Sequence, residues 1–86
     1  MTKKTDPAVN VGIDVGKSQL DVCIHERDIP FTVINNQLGI RECLNRIKRY
    51  TVLRIVVEAT GRREYDLVVE AAKRGLPIEP ELRDMT

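Results

Sequence analysis

Asp14 and Glu58 are the carboxylates of this 86-residue chain whose surroundings point to chemistry. Asp14 stands between Gly12 and Gly16, neighbours too small to shield it, so an ion or a phosphate could approach it closely. Glu58 ends the apolar run Ile55-Val56-Val57 and is followed by Ala59-Thr60-Gly61, which puts an expensive charge at the edge of a core. Hard divalent cations such as magnesium prefer carboxylate oxygens, keep several waters and bridge acidic residues to a substrate phosphate. Two such ions clamp an in-line phosphoryl displacement, and that chemistry needs more ligands than these two. On spacing alone, a turn-forming Asp and a solvated rim Glu remain the plainer reading of the pair. Asp21 is a weaker candidate, because it belongs to an alternating strand whose polar face is expected to be wet.

Other reactive residue types carry less. Arg62-Arg63 follow the Glu58 strand end directly and are well placed to touch phosphates, whereas Arg41, Arg46, Lys48 and Arg49 read as the solvated face of a helix. Gly12 to Ser18 nearly spells a phosphate-binding P-loop, but Val11 stands where the first glycine belongs. A P-loop must also open a helix, whereas Gln19 to His25 alternates as a strand. Cys23 and Cys43 lack metal-ligand spacing, with only His25 as a companion, and are expected to be core or half-buried thiols. Phe31, Tyr50 and Tyr65 are too few for a ladder of stacked bases.

The elements that must position these residues are read from periodicity. Val9, Val11, Ile13 and Val15 alternate with Asn10, Gly12 and Asp14 and predict a first strand. Leu20, Val22 and Ile24 predict a second, paired as a hairpin through a Gly16-Lys17-Ser18 turn. Glu26-Arg27-Asp28 turns the chain into a third strand carrying Phe31, Val33 and Ile34. The period then changes to 3.6, with Ile40, Cys43, Leu44 and Ile47 on one helix face, Asn36 as its N-cap and Gly39 weakening its first turn. Val52 to Val57 predicts a strand buried on both faces. A second helix comes next, with Tyr65, Val68, Val69 and Ala72 inward and Gly75 as its C-terminal cap, before a fifth strand begins at Leu76-Pro77-Ile78. The expected architecture is α/β, a hairpin meander feeding parallel strands through right-handed crossovers.

Taken together, Val11-Gly12-Ile13-Asp14-Val15-Gly16-Lys17, Leu20-Asp21-Val22, Val56-Val57-Glu58-Ala59-Thr60-Gly61 and Gly75-Leu76-Pro77 resemble the amino-terminal domain of the DEDD transposases. These are the RuvC-like recombinases of bacterial insertion sequences, associated with a guiding bridge RNA. The resemblance runs from about Val9 to Ile78, and Asn35-Asn36 before the first helix also suits it. It implies a ribonuclease H-like βββαβαβ fold, with Asp14 and Glu58 as the first two acidic ligands of a magnesium or manganese site. The family's last two ligands are aspartates farther along, followed by a serine-bearing domain, so the chain is expected to be a truncated part of such an enzyme with little activity alone. Lys17 joins Arg62 and Arg63 as the expected nucleic-acid contacts, and the implied partners are DNA, guide RNA and further copies of the chain. The expected boundaries are a tail over 1–8, a ribonuclease H-like half over 9–78, and a tail over 79–86.

Composition neither opposes nor carries this reading. A net charge of +1 is too small to argue for nucleic acid by itself, and 42% hydrophobic with 31% charged residues describes an ordinary globular domain. No apolar run approaches a bilayer span and the start is polar, so a cytoplasmic location is expected. Two other readings stay open. One is a phosphotransferase of the actin-like and sugar-kinase type, whose first hairpin also carries an Asp and a glycine turn and which Lys17-Ser18 partly fits. The other is a non-catalytic module assembling through an open sheet edge.

Overall fold

The computed structural model describes residues 7–59 and 63–81. Five strands and two α-helices run in the order β1 (Val9–Val15), β2 (Gln19–Ile24), β3 (Ile29–Ile34), α1 (Gln37–Ile47), β4 (Val52–Ala59), α2 (Tyr65–Lys73) and β5 (Ile78–Glu81). A short 3-10 turn, His25–Arg27, joins β2 to β3. The sheet order is β3-β2-β1-β4-β5, with β1 antiparallel to β2, β2 antiparallel to β3, and β4 parallel to both β1 and β5. The fold is therefore a mixed α/β sandwich of sheet and helices.

Strand alternation decides which face is covered. Val9, Val11, Ile13 and Val15 join Leu20, Val22, Ile24, Val33, Ile55 and Val57 in one cluster with Ile40, Cys43, Leu44 and Ile47 of α1 and Leu67 and Ala71 of α2. Steps from β3 to β4 and from β4 to β5 run in the same direction across the sheet. Right-handed connections taken in one direction lay both helices on one face. Among the described residues no helix covers the other face, which carries Gly12, Asp14, Asp21, Val56 and Glu58.

That one-sided layering corrects the expectation that β4 is buried on both faces. Ile55 and Val57 are buried, whereas Arg54 and Glu58 on the open face are exposed and Val56 is half-buried. Leu53, the extra residue at a register shift against Val9 and Asn10, is also exposed. The β-branched run reflects fitness for a pleated strand as well as burial. The second helix is also rotated from its expected phase: Leu67 and Ala71 are buried, while Tyr65 and Ala72 are exposed and Val68 and Val69 half-buried. Its contact is a narrow i, i+4 stripe near the sheet edge. Strand β5 reaches Glu81, past the boundary expected at 78, whereas 82–86 fall outside the described residues.

Local chemistry explains the helix ends. Asn36 Oδ1 accepts from the Gly39 N–H at 2.8 Å, as expected of an N-cap. Gly39 is more than a weak helix former: it is buried, and a Cβ there would lie 1.7 Å from the Ile34 carbonyl oxygen. At the end of α2, Gly75 has φ +74, its N–H donates to Ala72 O, and the Leu76 N–H donates to Ala71 O, each at 3.0 Å. This paired arrangement satisfies the last carbonyls of the helix and turns the chain into β5. Arg46 of α1, expected to be merely solvated, lies over the Phe31 ring at 4.6 Å and pairs with Glu42 at 3.0 Å, covering the edge of the β3 layer.

One ionisable contact ties the amino-terminal end of β1 to the β2–β3 turn. Glu26 accepts from the Asn10 backbone N–H at 2.7 Å and from its Nδ2 at 2.6 Å. These bonds to the charged form hold the Glu26 carboxyl below its ordinary value of 4.5. A depressed folded-state value contributes stability that is present above the unfolded value and is lost as pH falls through the folded one. Urea midpoints should therefore drop for the wild type below about pH 4.5, and Glu26→Gln should flatten that part of the profile. An unchanged acid limb would show that the contact does not persist in solution.

Candidate functional site

Parallel pairing of β1 with β4 decides the geometry of the site. Asp14 and Glu58 are register partners, so their Cα atoms face each other across adjoining strands at the ordinary spacing of about 4.8 Å. In-register residues of a pleated sheet project from the same face. Both are exposed on the uncovered side, close to the carboxyl ends of their strands. The apolar partners Ile13 and Val57 point the opposite way into the core, which leaves each carboxylate no choice of face.

The register adds a third carboxylate beside them. Asp21 of β2 is the antiparallel partner of Asp14, so Asp21, Asp14 and Glu58 form a row across three neighbouring strands. Asp21 Oδ1 accepts from Thr32 Oγ1 at 2.8 Å and from Gln19 Nε2 at 3.1 Å, which fixes its orientation on the polar face. Its face is wet, as expected, but it is not an isolated surface charge. Glu81 of β5 is the register partner of Glu58 and extends the backbone row by one strand.

Beside this row lies a shallow depression of about 290 Å³, lined by Gly12, Asp14, Asp21, Cys23, His25 and Glu58 among others. Gly12 does not simply leave Asp14 open, because a Cβ at that position would stand 2.8 Å from His25 Nε2. The imidazole occupies the hollow that glycine provides. Sequence reasoning gave His25 no place in the site. The available signal was a glycine paired with Cys23, two residues before His25, which lies just past the end of the partner strand.

Of the basic candidates, Lys17 is exposed in the turn after β1 and Arg63 is exposed after β4. Since β1 and β4 are parallel neighbours, the two cations lie at the same end of the sheet as Asp14 and Glu58. Arg62 lies outside the described residues. The Gly16–Ser18 turn leads into strand β2 rather than into the helix that a P-loop requires.

The donor set suits a hard cation. Carboxylate oxygens on adjoining strands can share an ion that keeps much of its water, which is how magnesium is usually held. Among the described residues, no three His, Cys, Asp or Glu side chains are gathered to the spacing of a complete metal-binding group. The thiols fit structural roles: Cys43 is buried in α1, and burial pushes its thiol up to about 12, while Cys23 is half-buried on the site face. Iodoacetamide at pH 8 should label Cys23 alone in the folded protein and both cysteines in urea, as read by mass spectrometry. Labelling of Cys43 without denaturant would contradict its packing.

No protein-family model matches this sequence, and no curated protein matches it. Among the described residues, no helix is long and apolar enough to cross a membrane.

Proposed function

We propose that this chain is the amino-terminal part of a metal-dependent nuclease domain of the ribonuclease H type, from a DEDD transposase that cuts and joins DNA. The observation that carries the reading is the register of Asp14 with Glu58 on parallel neighbouring strands, on the uncovered face of a β3-β2-β1-β4-β5 sheet. Crossover connections and side-chain alternation bring the two motif carboxylates to adjoining positions. That juxtaposition is what an ion held between two strands requires.

In this reading Asp14 and Glu58 would hold magnesium or manganese, with Asp21 the next acidic group in the row. Such an ion supplies charge neutralisation at a phosphate and lowers the proton affinity of bound water. The chain's own contribution is positional. Strands β1 and β4 fix the spacing of the carboxylates through backbone bonds, and Gly12 makes room for the His25 ring beside Asp14. Lys17 and Arg63 offer cations to phosphates at the same end of the sheet.

Manganese is the direct probe, because its unpaired electrons broaden nearby nuclear magnetic resonances. Titration to millimolar Mn²⁺ should broaden the amides of Asp14, Glu58 and their register neighbours first, and Mg²⁺ should compete. No selective broadening at those positions would sink the metal reading.

A further inference from the structure

Tyr65 is 67% exposed, in contrast to the other two aromatic residues of the chain. Phe31 and Tyr50 pack against the core, each with a guanidinium over its ring, Arg46 at 4.6 Å and Arg27 at 5.4 Å. Tyr65 instead lines a cleft of about 630 Å³ with Asn35, Arg63 and Asp66. The cleft lies at the same end of the sheet as the carboxylate pair, since Arg63 follows β4 and Asn35 is tied to the β1–β2 turn. Asn35 Nδ2 donates to Gly16 O at 2.9 Å and the Asn35 N–H donates to Ser18 O at 3.0 Å.

Among the described residues, the lining groups match the parts of one nucleotide. An exposed phenol ring offers a plane for a base, and stacking of this kind is a main source of affinity for unpaired strands. Arg63 offers a planar donor fork to a phosphate. Asp66 is acceptor-only when ionised, and Asn35 Oδ1 is also an acceptor, so the base edge that suits both is one bearing an amino group, whose two N–H bonds can serve both where thymine offers a single N3–H. Cytosine, adenine and guanine carry one and thymine does not.

We propose that this cleft receives one unpaired, amino-bearing nucleotide of the strand delivered to Asp14 and Glu58, with its base on Tyr65 and its phosphate on Arg63. The inference rests on the nuclease reading of the carboxylate pair. It assigns the substrate class as nucleic acid that is single-stranded next to the point of chemistry.

The test uses 12-mers of oligo-dC, oligo-dT and oligo-rC, with binding followed by tyrosine fluorescence and by anisotropy of labelled strands. Oligo-C should bind more tightly than oligo-dT and quench the tyrosine emission. Tyr65→Ala should weaken binding about tenfold and Tyr65→Phe should restore it. Arg63→Ala should reduce the salt slope by about one. Tighter binding of oligo-dC than of oligo-rC assigns the nucleotide to a DNA strand and the reverse order to RNA, and both outcomes support the cleft. Unchanged affinity in Tyr65→Ala, a preference for oligo-dT, or no binding of any strand overturns it. Manganese broadening at Asp14, recorded on the same sample, separates failure of the cleft from failure of the nuclease reading.

Discussion

Gly39→Ala should lower the unfolding free energy by about 3 kcal/mol, at the upper end of what an added methyl group costs in a packed site. The new Cβ would meet the Ile34 carbonyl oxygen at 1.7 Å and its carbon at 2.8 Å. Both are backbone atoms in the last residue of β3, so no side-chain rotation relieves the contact. Alanine would add about 1 kcal/mol of helix propensity in an unhindered helix, and the expected loss exceeds that gain. In a domain of this length the melting temperature should fall by roughly 12–24 °C. The measurement is a pair of urea and thermal unfolding curves. An unchanged midpoint would mean that the first turn of α1 does not sit against the end of β3.

Asp14→Asn should lower manganese affinity more than tenfold while raising stability by about 0.5 kcal/mol. Asp14 lies between Asp21 and Glu58, each a direct register partner. Like charges facing each other across strands destabilise a sheet by a few tenths of a kcal/mol or more, so removing the middle charge relieves both pairings. The same change removes the central negative charge and one of the two oxygen donors that residue 14 offers the proposed ion site. Opposite signs for stability and affinity distinguish a functional carboxylate from a structural one. Loss of stability in Asp14→Asn, with metal broadening retained, would make Asp14 a structural residue.

Strand positions and the inward face of α1 were legible because their periodicities were clean: Val9, Val11, Ile13 and Val15 alternate, and Ile40, Cys43, Leu44 and Ile47 recur at helical spacing. Helix α2 was harder, since Val68 and Val69 sit beside Leu67 and the apolar residues spread over more of the helix than its narrow contact buries. That spread predicts an inward Tyr65, which the structure leaves exposed. Strand β4 reads as doubly buried because β-branched residues favour strands whether or not both faces are covered.

The two carboxylates and their expected pairing at neighbouring strand ends were visible, but their exact register was not. Asp14 and Glu58 become neighbours only through the parallel register of β1 with β4, a long-range pairing that no local pattern encodes. Asp21 gains its place from the hairpin register together with the hydrogen bonds from Thr32 and Gln19. His25 is legible only once the strand pairing shows which ring occupies the hollow above Gly12.

Prolines occupy both outer strands, Pro30 in β3 and Pro80 in β5. The Ile55 N–H donates to Pro77 O at 2.8 Å, and alternation along the strand then turns residue 80 away from β4. Each border therefore lacks an amide hydrogen where an incoming chain would seek one. Growth of the sheet from copy to copy is discouraged at its margins, which protects the protein against fibrous aggregation. Any self-association consistent with solubility should then use the acidic face or the helices, and so respond to salt or to divalent ions rather than extend as a ribbon.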